Sequence, residues 1–173
     1  MDEIDVVRNI MPESKVNFIL NTALWDSFDD KLKQIIHSFG TWAEIKFLDN
    51  KGNKNPSLDT IPNDKGGVYI FITKSDILPA DIHLYLMYVG RALCTEKQNL
   101  RKRCKEYSAK QKRPKISRMI QQWGKYLYIR YLPLDDNDLI SNMEEEIINK
   151  ILPPFNDKIP DQEIQQVVEA FKI

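Results

Sequence analysis

Three short runs rich in β-branched and aromatic residues place the strongest constraint on the fold. They are GVYIFIT at 67–73, LYLMYVG at 84–90 and YLYIRYL at 126–132. Short apolar runs of this composition, bounded by glycine, proline or polar residues, are typical of β-strands. The first two are separated only by a polar connector, so we expect them to form neighbouring central strands.

Segments with helical periodicity surround these runs. Apolar residues recur at intervals of three and four residues, and the segments begin at capping residues or proline and end at glycine or proline. The predicted helices cover 30–39, about 97–109, 114–124, 138–152 and 160–173. Residues 41–49 alternate as a strand does, and residues 49–66 are dense in Asn, Asp, Gly and Pro, which predicts a loop.

The order of these elements predicts an α+β fold, because strands and helices do not alternate as regular βαβ units. We expect a small central antiparallel sheet of about three strands flanked by helices. A chain of 173 residues suffices for one domain of ordinary size. The predicted organisation is an N-terminal extension over 1–65, a central domain over 66–156, and a C-terminal helix within 157–173 packed on that domain.

Cysteine usage and hydropathy favour a soluble cytoplasmic protein. Cys94 and Cys104 form neither a CxxC motif nor a disulfide framework, and the first residues lack a secretory pattern. The longest apolar stretches are less than half of what a membrane span needs. With only His37 and His83, the chain also lacks material for a zinc site or a histidine-metal nuclease.

Charge is balanced in total but polarised along the chain. The 25 Lys and Arg residues equal the 25 Asp and Glu residues. Residues 97–118 nevertheless carry ten basic side chains against one acid, a net charge of +9, whereas residues 135–173 carry a net charge of −7. A basic block of this kind is either a solvated surface or the binding face for a polyanion such as nucleic acid.

Arg103 lies on the apolar face of the basic helix. Leu100 precedes it by three residues and Tyr107 follows it by four, so the guanidinium is predicted to point inward together with Tyr107. A buried guanidinium needs an anionic or polar partner. The other basic residues of this helix are predicted to face solvent: Arg101, Lys102 and Lys105.

Glu144 interrupts the apolar stripe of the 138–152 helix. Its neighbours at helical spacing are Ile140, Ile147, Ile148 and Ile151. A carboxylate in that position is costly unless something compensates it. Two interpretations are open: a salt bridge from Arg103 to Glu144 that joins two helices, or a site where the carboxylate holds a divalent cation and the arginine meets a phosphate.

Tyr69 and Tyr88 lie on the two neighbouring predicted strands, next to glycines in GGVY and YVG. Glycine at such a position lets a backbone or a ligand approach closely. A tyrosine on a strand is otherwise most often a core residue with its hydroxyl at the rim. Either interpretation predicts that the two rings help to form the interior beside the central strands.

Taken together, four ordered segments resemble the GIY-YIG nuclease family. They are GVY at 67–69, YVG at 88–90, NLRKR at 99–103 with Tyr107 behind it, and EEEIINKILPPFN at 144–156. The resemblance covers Gly66 to Asn156, about half of the chain. NLRKRCKEY is similar to the segment that follows YVG in excision-repair members, and the last segment keeps the family's Glu to Pro to Asn spacing.

This resemblance implies a metal-dependent endonuclease that hydrolyses phosphodiester bonds in DNA with Mg²⁺ or Mn²⁺. By similarity, Glu144 is the metal-binding carboxylate and Arg103 is the catalytic arginine. The other implied site residues are the motif tyrosines Tyr69 and Tyr88, the supporting hydroxyl of Tyr107, and the supporting amide of Asn156. Tyr69 is the implied general base, and a nearby positive charge must then stabilise its phenolate.

The expected partner is DNA, gripped through its phosphates by the basic segment, and no membrane is expected. Related members often carry a basic residue directly after YVG. The predicted nucleic-acid-binding residues are Arg91, Arg101, Lys102, Lys105, Lys110, Lys112, Arg113 and Lys115. A single site per chain would cut both strands of a duplex most simply as a homodimer.

The sequence departs from the family pattern in two places and leaves other hypotheses open. Nineteen positions separate Tyr69 from Tyr88, longer than the usual connector, and ALCTEKQ at 92–98 is inserted before the basic helix. The alternatives are a catalytically inactive nucleic-acid-binding module, or an interaction protein in which Arg103 and Glu144 merely pair. Glu44-Ile45-Lys46 also mimics the E-x-K motif of another restriction-nuclease class, but that class requires an acid on a neighbouring strand.

Overall fold

The computed structural model describes residues 15–38, 42–75, 84–109 and 111–170. Within these ranges, one antiparallel sheet of four strands is accompanied by six α-helices. The strands are β1 (Ala43–Lys46), β2 (Gly66–Lys74), β3 (Leu84–Ala92) and β4 (Leu127–Leu134). The helices are α1 (Thr22–Asp26), α2 (Asp30–Ser38), α3 (Leu100–Glu106), α4 (Pro114–Trp123), α5 (Asn137–Ile151) and α6 (Gln162–Ala170).

The predicted α+β class and the three central strands are confirmed. The sheet has the order β1-β4-β2-β3, so β2 and β3 are neighbours as expected, and the third predicted strand pairs on the other side of β2. The strand in the N-terminal extension adds a fourth member, since β1 pairs with β4. This places β3, which carries the YVG motif, at one edge of the described sheet.

Apolar side chains cover both faces of the sheet because successive strand residues point to opposite sides. One face packs on α5 through a cluster formed by Val68, Val89, Leu132, Leu134, Ile140, Met143, Ile147 and Ile148. The other face packs on α3 and α4, and its cluster includes Tyr69, Phe71, Tyr88, Leu100, Cys104, Tyr107, Ile116 and Met119. The basic helix and the acidic helix therefore lie on opposite faces.

Two predicted elements have different bounds in the structure. The basic helix begins only at Leu100, because Asn99 accepts a hydrogen bond from the backbone N–H of Lys102 and so caps it. The predicted loop over 49–66 contains a 3₁₀ helix, Pro56–Thr60, in which Leu58 is buried. Asn55 caps this helix and proline fits its first position, so turn-forming residues here build a structured element.

The C-terminal helix forms as predicted, but none of the nine residues of α6 is buried. Ile164 and Val168 are half-buried, whereas Val167 is exposed. Cys94 and Cys104 are free thiols, as expected. Within the described part of the chain, no helix combines the length and the apolar character that crossing a membrane requires. The predictions that involve His83 and Lys110 fall on residues outside the described ranges.

Candidate active site

The register between β2 and β3 builds the centre of the candidate site. Tyr69 lies opposite Gly90, and Phe71 lies opposite Tyr88, so the two motif tyrosines share the face that packs on α3. A β-carbon at residue 90 would come within 2.5 Å of the Tyr69 hydroxyl oxygen. The glycine of YVG is therefore required by the tyrosine of GVY, because only a residue without a side chain leaves that volume free.

Three tyrosine hydroxyls meet in the interior beside these strands. Tyr107, at the end of α3, lies with its Oη 2.7 Å from that of Tyr69 and 3.2 Å from that of Tyr88. The exposed fractions are 0% for Tyr69, 2% for Tyr107 and 6% for Tyr88. The structure thus brings together all three tyrosines that the resemblance implies, and we call them the tyrosine cluster.

Two guanidinium groups bind the tyrosine cluster. Arg103 donates from Nε to the Tyr69 hydroxyl at 3.3 Å. Arg113 donates from Nη1 to the Tyr88 hydroxyl at 3.1 Å and from Nη2 to the Tyr107 hydroxyl at 3.0 Å. Each hydroxyl of the cluster therefore accepts a charge-assisted hydrogen bond, which satisfies buried polar groups that would be costly if left unpaired.

Burial keeps Tyr69 and Tyr107 protonated. It raises the pKa of Tyr69 well above its ordinary value, and the neighbouring Tyr107 and Tyr88 add to that effect, while Arg103 opposes it. Burial also raises the pKa of Tyr107. In the free protein both phenols are neutral at physiological pH. They can donate hydrogen bonds there, and Tyr69 could act as a base only if further positive charge lowered its pKa.

Arg103 points inward as predicted, and its ionic partner is Glu106. The Arg103 Nη1 lies 2.7 Å from a Glu106 carboxylate oxygen, one helical turn away on α3. Gln98 donates a second hydrogen bond to Glu106 at 2.9 Å. The interpretation of a salt bridge between Arg103 and Glu144 is wrong, because α3 and α5 cover opposite faces of the sheet and each residue has a nearer partner.

Glu144 lies beside the outer edge of β3, where Arg91 holds its carboxylate. The distance from Arg91 Nη1 to a Glu144 oxygen is 3.0 Å, and the Arg91 backbone N–H also stabilises the charged form. Glu145 contacts the same guanidinium at 3.0 Å. The Glu144 side chain is 16% exposed, so it is largely but not completely buried.

The electrostatic balance at Glu144 is unfavourable for its negative charge. Burial raises the pKa of this carboxyl, and Glu145 adds to the increase, whereas Arg91 and then Arg103 act in the opposite direction. The field of Arg103 therefore reaches Glu144 although the two do not pair. The Tyr69 hydroxyl that Arg103 binds lies against Gly90, and the Glu144 carboxylate binds the next residue, Arg91, so both groups contact the same part of β3.

Asn156 bonds the backbone of the neighbouring residues on the edge of β3. Its side chain donates to the Val89 carbonyl oxygen and accepts from the Val89 N–H, each at 2.9 Å. The Phe155 N–H donates to the Met87 carbonyl oxygen at 3.0 Å. An amide can do this because it carries a donor and an acceptor side by side. Asn156 thus acts by fixing β3 and the end of α5.

Glu144 is the carboxylate of this site that could hold a divalent cation. The described residues contain no group of three or more His, Cys, Asp or Glu side chains placed to hold a metal ion. Magnesium, however, is commonly held by one or two carboxylates, with waters and substrate phosphates as its other ligands. The Glu144 carboxylate, whose pKa is raised by burial despite its contact with Arg91, fits a cation held in that way.

The predicted nucleic-acid-binding residues divide into two groups. Lys102 and Lys112 are exposed, although the Lys102 Nζ donates to the Lys97 carbonyl oxygen. Lys115 is partly exposed and lies 3.3 Å from the Asn156 carbonyl oxygen and 3.5 Å from an Asp157 carboxylate oxygen. The following four are held more closely by protein partners. Arg91 binds the two glutamates, Arg101 binds the Ile61 carbonyl oxygen, Lys105 binds Asp59, and Arg113 binds the tyrosine cluster. Lys110 lies outside the described residues.

Sequence reasoning missed the inward orientation of Arg113. This residue precedes Pro114, at the N-cap of α4, so no helical periodicity assigns it a face. The available signal was its position six residues after Tyr107, itself predicted to point inward. Glu106 was missed as well, although its spacing of three residues from Arg103 on one helix is typical of an ion pair.

The E-x-K alternative lacks its second acid. Glu44 on β1 lies opposite Arg130 on β4, whose Nε is 2.7 Å from a Glu44 oxygen. Lys74 binds the other oxygen of the same carboxylate. Glu44 is therefore surrounded by two cations on the sheet surface, which is the environment of a structural ion-pair cluster and not of a metal ligand.

Comparison of the chain with models of known protein families, with curated proteins and with solved structures gives no match. The function must therefore be argued from the site itself and from the motifs that form it. Those motifs, with Tyr107 behind NLRKR, contribute the tyrosine cluster, the Arg103 guanidinium and the Glu144 carboxylate, whereas Arg113 adds a second guanidinium from outside them.

Proposed function

We propose that this protein is a metal-dependent endonuclease of the GIY-YIG type that hydrolyses phosphodiester bonds in DNA. The observation that carries the proposal is the convergence of two guanidiniums on three buried tyrosine hydroxyls, at a strand edge that also borders the Glu144 carboxylate. The order of the motifs supports it, because GVY, YVG, NLRKR and the final Glu to Asn segment supply Tyr69, Tyr88, Arg103 and Glu144. Arg113 comes from outside these motifs.

The chemistry of phosphodiester hydrolysis explains why these residue types belong together. An in-line attack on phosphorus accumulates negative charge on the phosphate oxygens, and preorganised donors stabilise that charge best in a site poor in water. Arg103 supplies a guanidinium that is 33% exposed and oriented by Tyr69 and Glu106. The buried Tyr69 hydroxyl, itself bonded to Tyr107, helps to fix that guanidinium in place before the substrate binds.

Glu144 is the residue that would hold Mg²⁺ or Mn²⁺, and such an ion would supply Lewis-acid stabilisation of the phosphate and a more acidic bound water. Arg91 orients the Glu144 carboxylate through its side chain and backbone. Asn156 keeps the β3 edge in register beside it. The exposed lysines Lys102 and Lys112 would contact the phosphates that flank the cleaved bond.

The direct test is digestion of supercoiled plasmid by the purified protein with Mg²⁺. We expect nicked or linear product from the wild type, and a loss of about 100-fold or more in rate for both Glu144→Gln and Arg103→Ala. Glu163→Gln, on the exposed helix α6, is a matched control for carboxylate removal and should cleave normally. Unchanged cleavage by both site variants would remove the assigned site.

A catalytically inactive nucleic-acid-binding module is the second candidate. Two ion pairs favour it, because Arg103 already pairs with Glu106 and Glu144 already pairs with Arg91. It predicts salt-dependent DNA binding with no hydrolysis under any divalent metal. The interaction protein built on an Arg103 to Glu144 pair is set aside, because each of these residues pairs with another partner.

Two further properties belong to the same proposal. We expect the nuclease to act in the cytoplasm, since its two cysteines are free thiols. We expect a homodimer wherever both strands of a duplex are cut, because each chain supplies one site. Sedimentation with and without a DNA duplex would measure the second property directly.

A further inference from the structure

Arg113 belongs to a strongly basic stretch of sequence, yet its guanidinium turns away from the surface. Its carbon Cζ lies 5.6 Å from the ring centre of Tyr88 and 5.4 Å from that of Tyr107. Both terminal nitrogens bond hydroxyl oxygens, one to each tyrosine. A planar fork can make two such bonds at once, which a lysine ammonium on a flexible chain does not reproduce.

These two bonds occupy acceptor positions on the Tyr88 and Tyr107 oxygens and so restrict where each hydroxyl proton can point. A tyrosine hydroxyl has one proton to donate, and a guanidinium can only donate. The geometry makes Tyr107 the donor to Tyr88 in the 3.2 Å bond. With its proton used there, Tyr107 must accept from Tyr69 in the 2.7 Å bond.

This order of donors and acceptors leaves the hydroxyl proton of Tyr88 without a partner in the tyrosine cluster. Its oxygen accepts from Arg113 and from Tyr107, so its own proton is not used within the cluster. No described residue accepts that proton. Tyr88 is also the member of the tyrosine cluster with the largest exposed fraction. Its O–H is therefore the group that the network leaves free to donate to a ligand.

We propose that Arg113 is a positioning residue of the nuclease site, which directs the Tyr88 O–H toward a non-bridging oxygen of the bound phosphodiester. This inference rests on the proposed endonuclease function. It assigns Arg113 a role that differs from the surface phosphate contact predicted by the sequence. In that role the guanidinium acts on the substrate through Tyr88, and its loss would affect the chemical step more than the binding of DNA.

Steady-state cleavage of a short duplex with Mg²⁺ separates the two roles. For Arg113→Ala and Arg113→Lys we expect kcat to fall by about 10- to 100-fold with KM changed by less than about threefold. Added guanidinium ion should restore part of the rate to Arg113→Ala and none to Arg113→Lys. Lys125→Ala, which removes an exposed charge outside the site, is the control. A rise in KM with unchanged kcat would overturn the inference.

A spectroscopic measurement tests the same inference without any activity. In protein labelled with ¹³C-tyrosine, the Cζ chemical shift reports the hydrogen bonding of each hydroxyl, and Tyr88→Phe and Tyr107→Phe identify the two signals. Arg113→Ala and Arg113→Lys should both move these signals and leave that of the exposed Tyr126 unchanged. If the wild type cuts no DNA, the proposed function fails. If the Cζ shifts do not move, the role of Arg113 fails.

Discussion

The hydroxyl of Tyr69 occupies the volume that a side chain at Gly90 would need. The two residues face each other across β2 and β3, and a β-carbon on Gly90 would lie 2.5 Å from the Tyr69 Oη and 2.6 Å from its Cζ. The GVY and YVG motifs are therefore one packing unit divided between two strands. This contact explains why a glycine follows the second motif tyrosine by two residues.

We predict that Gly90→Ala destabilises the protein by about 1–3 kcal/mol and abolishes cleavage, because the added methyl group overpacks the site and must displace the Tyr69 ring. Urea unfolding and plasmid digestion would measure the two effects. In a Tyr69→Leu background the same substitution should cost less, since the clashing hydroxyl and ring atoms of Tyr69 are gone. Equal costs in both backgrounds would show that another contact excludes the methyl group.

Removal of the Tyr107 hydroxyl should lower the free energy of unfolding substantially, although only one oxygen atom is lost. Tyr107→Phe leaves the fully buried Tyr69 hydroxyl with Arg103 as a partner but without its bond to Tyr107, and it removes one bond from Arg113. We expect a loss of about 1–3 kcal/mol in the free energy of unfolding. Tyr126→Phe, at a residue that is 51% exposed, should change it by less than about 0.5 kcal/mol. Similar effects of the two substitutions would contradict the tyrosine cluster.

The sequence predicted that Arg103 and Glu144 are partly buried because each interrupts the apolar stripe of its own helix. Arg103 and Glu144 stand on apolar stripes, and the structure places both partly buried, beside the strand edge that carries Gly90. The strands were predictable for a related reason, since composition and period identify them locally. Local sequence patterns therefore predicted where the helices and strands lie and which charged residues interrupt their apolar faces.

Partners were less predictable because they depend on packing between elements distant in sequence. Periodicity says that Arg103 points inward, but not that the sheet separates α3 from α5, and the pairing with Glu106 follows from that separation. Arg113 has no periodic context at all, as it precedes a proline at a helix start. Its orientation depends on where two strand tyrosines end, which only the assembled fold determines.

The surface ion-pair cluster around Glu44 predicts a pH dependence of stability. Burial alone would raise the pKa of Glu44, but the bonds from Lys74 and Arg130 outweigh it, so the pKa is lowered from its ordinary value of 4.5. A lowered pKa means that the ionised carboxylate stabilises the fold above pH 4.5. That contribution is lost as the pH falls through the lowered value.

Glu44→Gln should therefore be less stable than the wild type at pH 7, and the difference should shrink as the pH falls below 4.5. Urea unfolding of both proteins across this range measures it, and Glu163→Gln controls for the loss of any surface carboxylate. A difference that stays constant with pH would mean that the ion pairs contribute nothing and that the substitution acts by packing alone.

The exposed lysines should contribute more to DNA binding than the lysines that already pair with protein carboxylates. Lys112 is exposed, whereas Lys105 is paired with Asp59. We expect Lys112→Ala to weaken binding and to reduce the slope of log affinity against log salt by about 1, because one fewer counterion is released. Lys105→Ala should change that slope less. Fluorescence anisotropy with Ca²⁺ in place of Mg²⁺ measures binding, and equal slopes for both variants would contradict the division.

The Asn156 side-chain amide bonds both backbone groups of Val89 on the edge of β3. Asn156→Asp retains the oxygen that accepts from the Val89 N–H but replaces the donor to the Val89 carbonyl with a second acceptor. At pH 7 two oxygens then face each other, so we expect a loss of about 1–3 kcal/mol, at least as large as that of Asn156→Ala. At acid pH the new carboxyl gains a proton and can donate again, so the loss should become smaller for Asp and stay constant for Ala. Urea unfolding of the three proteins at both pH values would test this, and an equal loss for Asp at the two values would show that the Val89 carbonyl does not depend on the amide.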